Sequence, residues 1–426
     1  MVTELRRIAV IGGSRIPFCR SNTIHAEKSN MDMLAAALEG LVARFKLQGV
    51  QFDEVVAGAV TTHSRDWNLA REAVLSTSLS PLTPGVTLQQ ACGTSLQSAL
   101  MIGAKIATGQ IECGIAAGTD TTSDPPIVFG TRFSRRLVKA STARSVKQRL
   151  QAFSGFSPGE LKPVLPANGE PRTSLSMGAH CERMAREWQI SREAQDQLAL
   201  ASHHKAARAF DEGFFDDLVI PWNGVTRDNN LRADTTLDKL ASLKPAFSTS
   251  TDATLTAGNS TPLTDGAAAV LLASDDWARQ HDLPVQAYLT RGRSSAVDFV
   301  HDEGLLMAPT VAVAELLQRS GLSLQDFDFY EIHEAFAAQV LCTLAAWESE
   351  TYCRNRLGLD RAMGSIDRER INVKGSSLAV GHPFAATGAR IMGTLAQLLE
   401  EKGSGRGLIS ICTAGGMGVA AILERP

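Results

Sequence analysis

The stretch LQQACGTSLQSALMIGAKIATG, residues 88–109, joins an extended run ending at Cys92 to a segment in which Leu96, Leu100, Gly103 and Ala107 recur with helical period. Cys92 is therefore expected at a helix start. Backbone N–H groups and the helix dipole there favour a thiolate and lower the pKa from about 8.5 for a free cysteine. A strand–turn–helix elbow also exposes a nucleophile while aiming backbone donors at an oxyanion, so the pattern suits covalent catalysis by sulfur. Taken alone, a cysteine in such a place is more often a small buried core residue. The same holds for Cys412 in the apolar run LISIC and for His333 in YEIHEAFAAQ. The GHP at 381–383, which contains His382, is by itself a common turn, and GGMG at 415–418 matches a tight hairpin turn.

These residues need a scaffold. The first third of the chain alternates short apolar runs (Ile8–Ile11, Val55–Val60, Val86–Gln90, Gly114–Ala117) with helical patterns (Met31–Phe45, Leu69–Ser78, Thr94–Thr108). Such alternation predicts a layered α/β fold with a largely parallel sheet. The last third repeats the theme: a helical Ala385–Leu399, the run Leu408–Ile411, a Gly415–Gly416 turn and the run Val419–Leu423. Both ends place a helix closing at Gly109 or Gly403 before an apolar run that meets small residues, which points to an internal duplication.

Between them, about residues 124–250 are richer in proline and charge, with a helix expected over Ser191–Glu212, capped by Ser191 and ended by Gly213. Within this region Arg132, Arg135, Arg136, Lys139, Arg144, Lys147 and Arg149 occur without an acidic residue, and Val146, Leu150 and Phe153 follow at helical spacing. The segment reads as a basic amphipathic helix. A solvated surface helix, a dock for ligand phosphates, a partner subunit and a membrane surface are all open readings.

Bulk properties narrow the class. A chain of 426 residues with 44% hydrophobic and 20% charged content supports two or three packed cores. Gly266–Ala273 and Val419–Leu423, among the longest apolar runs, fall short of the roughly 20 residues that span a bilayer. The start MVTELRRIAVIGGSRIPF has no apolar signal core, so a cytoplasmic location is expected. Seven cysteines, with no C-x-x-C pair, fit reduced thiols rather than a disulfide frame or a zinc site, and no metal is expected. A net charge of −3 gives no global pull toward nucleic acid. No phosphate loop or dinucleotide fingerprint supports a nucleotide cofactor.

Further motifs resolve the ambiguity. GNSTPLTDGAAA at 258–269, HEAFAAQ at 333–339, NVKGSSLAVGHPFAATGAR at 372–390 and CTAGGMG at 412–418 follow the Cys92 elbow in the order found in thiolases and span nearly the whole chain. The sequence resembles that family, which cleaves 3-ketoacyl-CoA with free coenzyme A or runs the reverse condensation. The resemblance implies a duplicated α/β layered fold of two similar halves with an inserted loop domain. The expected bounds are 1–123 plus about 251–274 for the N-terminal half, 124–250 for the insertion and 275–426 for the C-terminal half.

By resemblance, Cys92 attacks the 3-keto carbon and forms an acyl-enzyme, while His382 takes its proton. Cys412 matches the acid–base cysteine that protonates the departing enolate. His333, first residue of the family's N/H-E-A-F motif, holds a water that with His382 binds the thioester oxygen. Backbone N–H groups of Cys92 and Ala414 match the second oxyanion hole. Thr261 and Ser176-Met177-Gly178 match positions lining the coenzyme A tunnel.

Coenzyme A is expected as substrate, with no permanently bound cofactor, and the assembly as a homodimer or dimer of dimers. HEAFAAQ, GHPFAATGAR and NSTPLTDGAAA are similar to the β-subunit of the fatty-acid oxidation trifunctional complex, which makes a hydratase/dehydrogenase α-subunit a candidate partner and residues 132–153 its candidate dock or a membrane contact. Departures are His333 for the usual asparagine, Ser95 and Ser376 for glycine, and Lys374 near His382. A short-chain acetoacetyl-CoA thiolase, a decarboxylating condensing enzyme and a non-catalytic subunit of the same fold are the alternatives. Cys412 counts against the second and the intact Cys92, His333, His382, Cys412 set against the third.

Overall fold

The computed structural model describes residues 5–301 and 303–426; residues 1–4, with which the N-terminal half read from sequence begins, and residue 302 lie outside it. The first part of the chain forms β1 (Ala9–Arg15), β2 (Cys19–Arg20), α1 (Asn30–Phe45), β3 (Glu54–Gly58), α2 (Leu69–Leu75), β4 (Gly85–Thr87), α3 (Thr94–Ala107) and β5 (Cys113–Asp120). The middle holds β6 (Val128–Phe129), α4 (Thr131–Ser141), α5 (Val146–Ala152), β7 (Pro163–Val164), α6 (Met177–Glu187), α7 (Arg192–Asp211) and α8 (Leu237–Ala241). The chain returns to the sheet through β8 (Thr264–Ala273), followed by α9 (Asp275–Gln280) and β9 (Ala287–Ala296). Then come α10 (Ala308–Ser320), β10 (Phe329–Ile332), α11 (Ala337–Glu348), α12 (Glu350–Leu357), α13 (Ser377–Val380), α14 (Thr387–Lys402), β11 (Gly405–Thr413) and β12 (Met417–Arg425).

One sheet runs in the order β10-β11-β12-β9-β1-β8-β5-β3-β4, with β2 on β8. Its two sides repeat a pattern. From β1, the neighbours are β8 antiparallel, β5 antiparallel and β3 parallel. From β9, they are β12 antiparallel, β11 antiparallel and β10 parallel. The same order and the same directions, read from each half's first strand, are what a duplication leaves behind.

The expectation of a largely parallel sheet is corrected by this order. Among the strands of the described residues, parallel pairing is confined to β3–β4, β3–β5 and β10–β11, where helices supply the crossovers. The turn Ala414–Gly415–Gly416, whose two glycines have φ of 77° and 69°, brings β12 straight back along β11 and forces antiparallel pairing.

Strands β1, β3, β5 and β8 are buried at every position, because helices cover both faces. α14 is buried continuously from Thr387 to Leu399 and shares one apolar cluster with Leu96, Ala99, Ile102 and Ile106 of α3. The close approach depends on Gly388: a Cβ there would lie 2.3 Å from the Leu96 backbone nitrogen. α14 itself starts at Thr387, after a single tight turn over Phe384–Ala386, two residues later than its apolar period predicts. Ser191 caps α7 by accepting from the Ala194 N–H, and Gly213 follows with φ 78°, both as read from sequence.

The basic segment is two helices, not one. Ser145 accepts from the Gln148 N–H and starts α5 afresh, breaking the register with α4. Phe133 packs on Phe129, Phe153 and Phe156, and Arg136 donates to the carbonyls of Ala152, Ser154 and Gly155 and pairs with Glu160, which folds the hairpin back on itself. Val146 and Leu150 are left 74% and 71% exposed.

Candidate active site

The elbow is built by local hydrogen bonds. Ala91, just before Cys92, takes φ 46° in the left-handed region, an unusual conformation for a residue with a Cβ. The turn is held by Thr94, whose Oγ1 accepts from the Gln90 N–H and donates to the Ala91 carbonyl. Gly93 caps α3, and a Cβ on it would lie 2.8 Å from Val419 and 3.0 Å from Thr413, so glycine lets the end of β11 close on the elbow. Cys412 sits on β11 immediately before Thr413.

His382 enters from the other half. Gly381, at φ 100°, turns the chain out of α13, and the His382 N–H donates to Thr264 Oγ1. Its Nε2 then lies 3.0 Å from Cys92 Sγ and its Nδ1 2.6 Å from Thr387 Oγ1. His333, one residue beyond β10, stands with its ring centroid 4.1 Å from that of His382. Cys92 Sγ and one ring nitrogen of each histidine all fall within 4.8 Å of one another. A thiol and two imidazoles so placed could also hold a soft divalent metal ion.

Burial decides the charge states, and here one expectation is reversed. The helix start was expected to lower the Cys92 pKa; loss of water instead pushes the thiol up to about 12. The N–H groups of Ala414 and of Cys92 itself oppose this without cancelling it, and Asp120 and Glu170 add to it. Burial likewise lowers His382 to about 3, with Arg390 contributing. The resting pair is thus a neutral thiol beside a neutral imidazole. For Nε2 to accept from the thiol, the ring proton must sit on Nδ1, facing Thr387 Oγ1. Cys412, 1% exposed, has its pKa raised by burial and then by the Cys92 sulfur, so the two thiols act on each other although they belong to different apolar clusters.

The structure places the remaining sequence-named residues unevenly. The Ala414 and Cys92 N–H groups both act on the Cys92 sulfur, each holding its pKa down against burial. Met177 packs against the apolar cluster that holds Cys412, Leu305, Leu306 and Phe336. The Ser176 hydroxyl caps α6 by accepting from the Ala179 N–H, and the Thr261 hydroxyl donates to the Ser377 carbonyl, so both are engaged within the protein. Sequence reasoning missed Thr387, Ser377, Arg390 and Glu170. Ser377 Oγ sits 2.9 Å from His333 Nδ1, and Arg390 donates to it at 2.7 Å. Glu170, from the insertion, accepts from the Gly415 N–H at 3.0 Å. No periodicity marks any of them; the only signal for Ser377, Thr387 and Arg390 is that they lie within the same motif as His382.

Family models agree with this arrangement: the thiolase N-terminal domain matches residues 8–276 and the thiolase C-terminal domain residues 284–425. The chain belongs to the thiolase family. It is 40% identical over 424 residues to a 3-ketoacyl-CoA thiolase of Yersinia pestis, covering 98% of this chain and 97% of that one. Among solved structures it is similar to human mitochondrial 3-ketoacyl-CoA thiolase (27% identity, TM-score 0.80, 99% of both chains). It is also similar to the acetyl-CoA acetyltransferase of Bacillus anthracis (28% identity, TM-score 0.81, 99% of both chains). The human enzyme has also been solved in complex with CoA, with a TM-score of 0.81 to this chain.

The departures of this thiolase from the commoner family pattern have structural uses. Ser95 Oγ accepts from the Ala389 N–H and ties α3 to α14. Ser376 Oγ accepts from Arg390. Lys374 faces away from His382: its ammonium pairs with Glu212, lies over Phe214 and lines a surface cavity with Lys205, Arg208 and Lys402 that shares no residue with the site.

Proposed function

We propose that this thiolase cleaves 3-ketoacyl-CoA thioesters with free coenzyme A, acting as an acetyl-CoA C-acyltransferase in fatty-acid β-oxidation. The observation that carries it is the 3.0 Å contact between Cys92 Sγ and His382 Nε2, with His333 and Cys412 gathered beside it. His382 takes the Cys92 proton as sulfur attacks the 3-keto carbon. The resulting oxyanion is held by the Cys92 and Ala414 N–H groups. Cleavage of the C2–C3 bond leaves an acyl group on Cys92 and expels the acetyl-CoA enolate, which takes a proton from the Cys412 thiol. The enolate oxygen is stabilised by His382 and by a water on His333. Free coenzyme A then gives its thiol proton to the Cys412 thiolate and attacks the acyl-enzyme carbonyl, releasing the shortened acyl-CoA as the Cys92 sulfur leaves and takes back its proton from His382.

Coenzyme A enters here as substrate, with no permanent cofactor. Incubation with acetoacetyl-CoA or 3-ketohexadecanoyl-CoA and free coenzyme A is expected to consume the ketoacyl absorbance; no loss with either refutes the reading. Similarity to an acetyl-CoA acetyltransferase keeps the short-chain thiolase as a second reading, decided by kcat/KM across chain lengths. The reading extends to a cytoplasmic homodimer or dimer of dimers. It gives residues 132–153 the role of a docking surface, for a membrane or for a hydratase/dehydrogenase α-subunit.

A further inference from the structure

We propose that Ser377 and Arg390 are positioning residues that fix His333 as its Nε2–H tautomer, so that the ring presents a hydrogen-bond donor to the space beside Cys92 and His382. Arg390 is 5% exposed, and a guanidinium only donates. Its Nη2 donates to Ser377 Oγ at 2.7 Å and its Nη1 to Ser376 Oγ at 3.1 Å. Glu331, itself 1% exposed, places a carboxyl oxygen 4.0 Å from Nη1, beyond hydrogen-bond reach. Ser377 Oγ therefore spends one lone pair on Arg390 and has one proton to give.

The other neighbour of Ser377 Oγ is His333 Nδ1, at 2.9 Å. Were Nδ1 the protonated nitrogen, the hydroxyl proton would be left without an acceptor in a fully buried place, at substantial free-energy cost. The satisfied arrangement runs Arg390 N–H to Ser377 Oγ, then Ser377 O–H to His333 Nδ1. That leaves the ring proton on Nε2. This nitrogen is fully buried and has no partner among the described residues, as befits a donor kept for a ligand. Imidazolium is disfavoured independently, since burial, His382 and Arg390 all lower the His333 pKa.

The consequence rests on the proposed thiolysis. An Nε2–H donor stabilises the thioester oxygen of the departing enolate directly, or holds a water by its oxygen with both O–H groups free to donate, where the other tautomer offers only a lone pair and uses up one of those O–H groups. The donor then depends not on His333 alone but on two residues that never touch substrate.

Neutron diffraction from the perdeuterated wild-type protein tests it directly: deuterium is expected on His333 Nε2 and on Ser377 Oγ pointing at Nδ1. Deuterium on Nδ1 overturns the proposal, whatever the variants do. In kinetics, Ser377→Ala is expected to lower kcat for ketoacyl-CoA cleavage roughly tenfold to a hundredfold, less than outright loss of an oxyanion donor, with KM little changed. Labelling of Cys92 by an acyl-CoA should stay at the wild-type rate, and Ser377→Thr should restore kcat. Unchanged cleavage by Ser377→Ala also overturns it. Should wild-type protein cleave no ketoacyl-CoA at all, the functional reading falls while the neutron map still decides the tautomer.

Discussion

A sulfur that is protonated at rest must lose its proton in the step in which it attacks. With the thiol at about 12 and His382 at about 3, the neutral pair is favoured over the ion pair across the physiological range. The thiolate fraction of the resting site should then rise about tenfold per pH unit until the thiol titrates. Alkylation of Cys92 by iodoacetamide is expected to climb without a plateau between about pH 6 and about pH 9; a plateau already reached at neutral pH would show a standing ion pair. In the proposed mechanism Cys412 has a different task, because it meets the carbanion and not the carbonyl. Cys412→Ala should leave acylation of Cys92 by a donor intact and lower C–C cleavage roughly a hundredfold to ten-thousandfold, the range for loss of a general acid. Retained cleavage would remove Cys412 from the mechanism. The residue types were legible in the sequence because they sit in ordered motifs. The Cys92 pKa was not, since it is set by desolvation from strands hundreds of residues away, and a helix start is only its local component.

The two helices that flank Cys92 and His382 are positioned by each other. α3 follows Cys92, α14 follows His382, and Gly388 faces the first turn of α3. Gly388→Ala would push a methyl group onto the Leu96 backbone nitrogen, which cannot rotate away. We expect a loss of about 1–3 kcal/mol in stability from overpacking, together with a fall in kcat as Cys92 and His382 separate. Thermal unfolding and thiolysis on the same preparation check both, and a variant with wild-type Tm and kcat would show that the helices are free to move apart. At this scale the helices were readable because caps are local: Ser191 accepts from a residue three positions on. Strand direction was not. An apolar run looks the same whether the chain enters it from a helix or from the Gly415–Gly416 hairpin, and only assembly distinguishes them. Ser377 and Arg390 were missed for the same reason: each becomes meaningful only when α13, α14 and His333 are brought together.

Across the whole molecule, a net charge of −3 conceals a local excess of the opposite sign. Arg132, Arg135, Lys139, Arg144, Lys147 and Arg149 are exposed on α4, α5 and their link, whereas Arg136 is consumed in holding the hairpin together. Val138, Val146 and Leu150 are exposed among them. No helix of the described residues is long and apolar enough to cross a membrane, so a lipid contact here would be one of surface adsorption. Each cation near an anionic bilayer is worth about 1 kcal/mol. Reversing three of them, Arg135→Glu, Lys139→Glu and Lys147→Glu, should therefore weaken partitioning by more than about a hundredfold. The measurement is co-sedimentation with phosphatidylglycerol vesicles: wild type is expected in the pellet at low salt and increasingly in the supernatant as salt screens the charge. The triple variant should stay in solution and cleave acetoacetyl-CoA at the wild-type rate, because none of the three side chains touches the site. Equal sedimentation of the variant, or none by the wild type, would take the membrane away from this hairpin and leave the hydratase/dehydrogenase subunit as the occupant to be tested next.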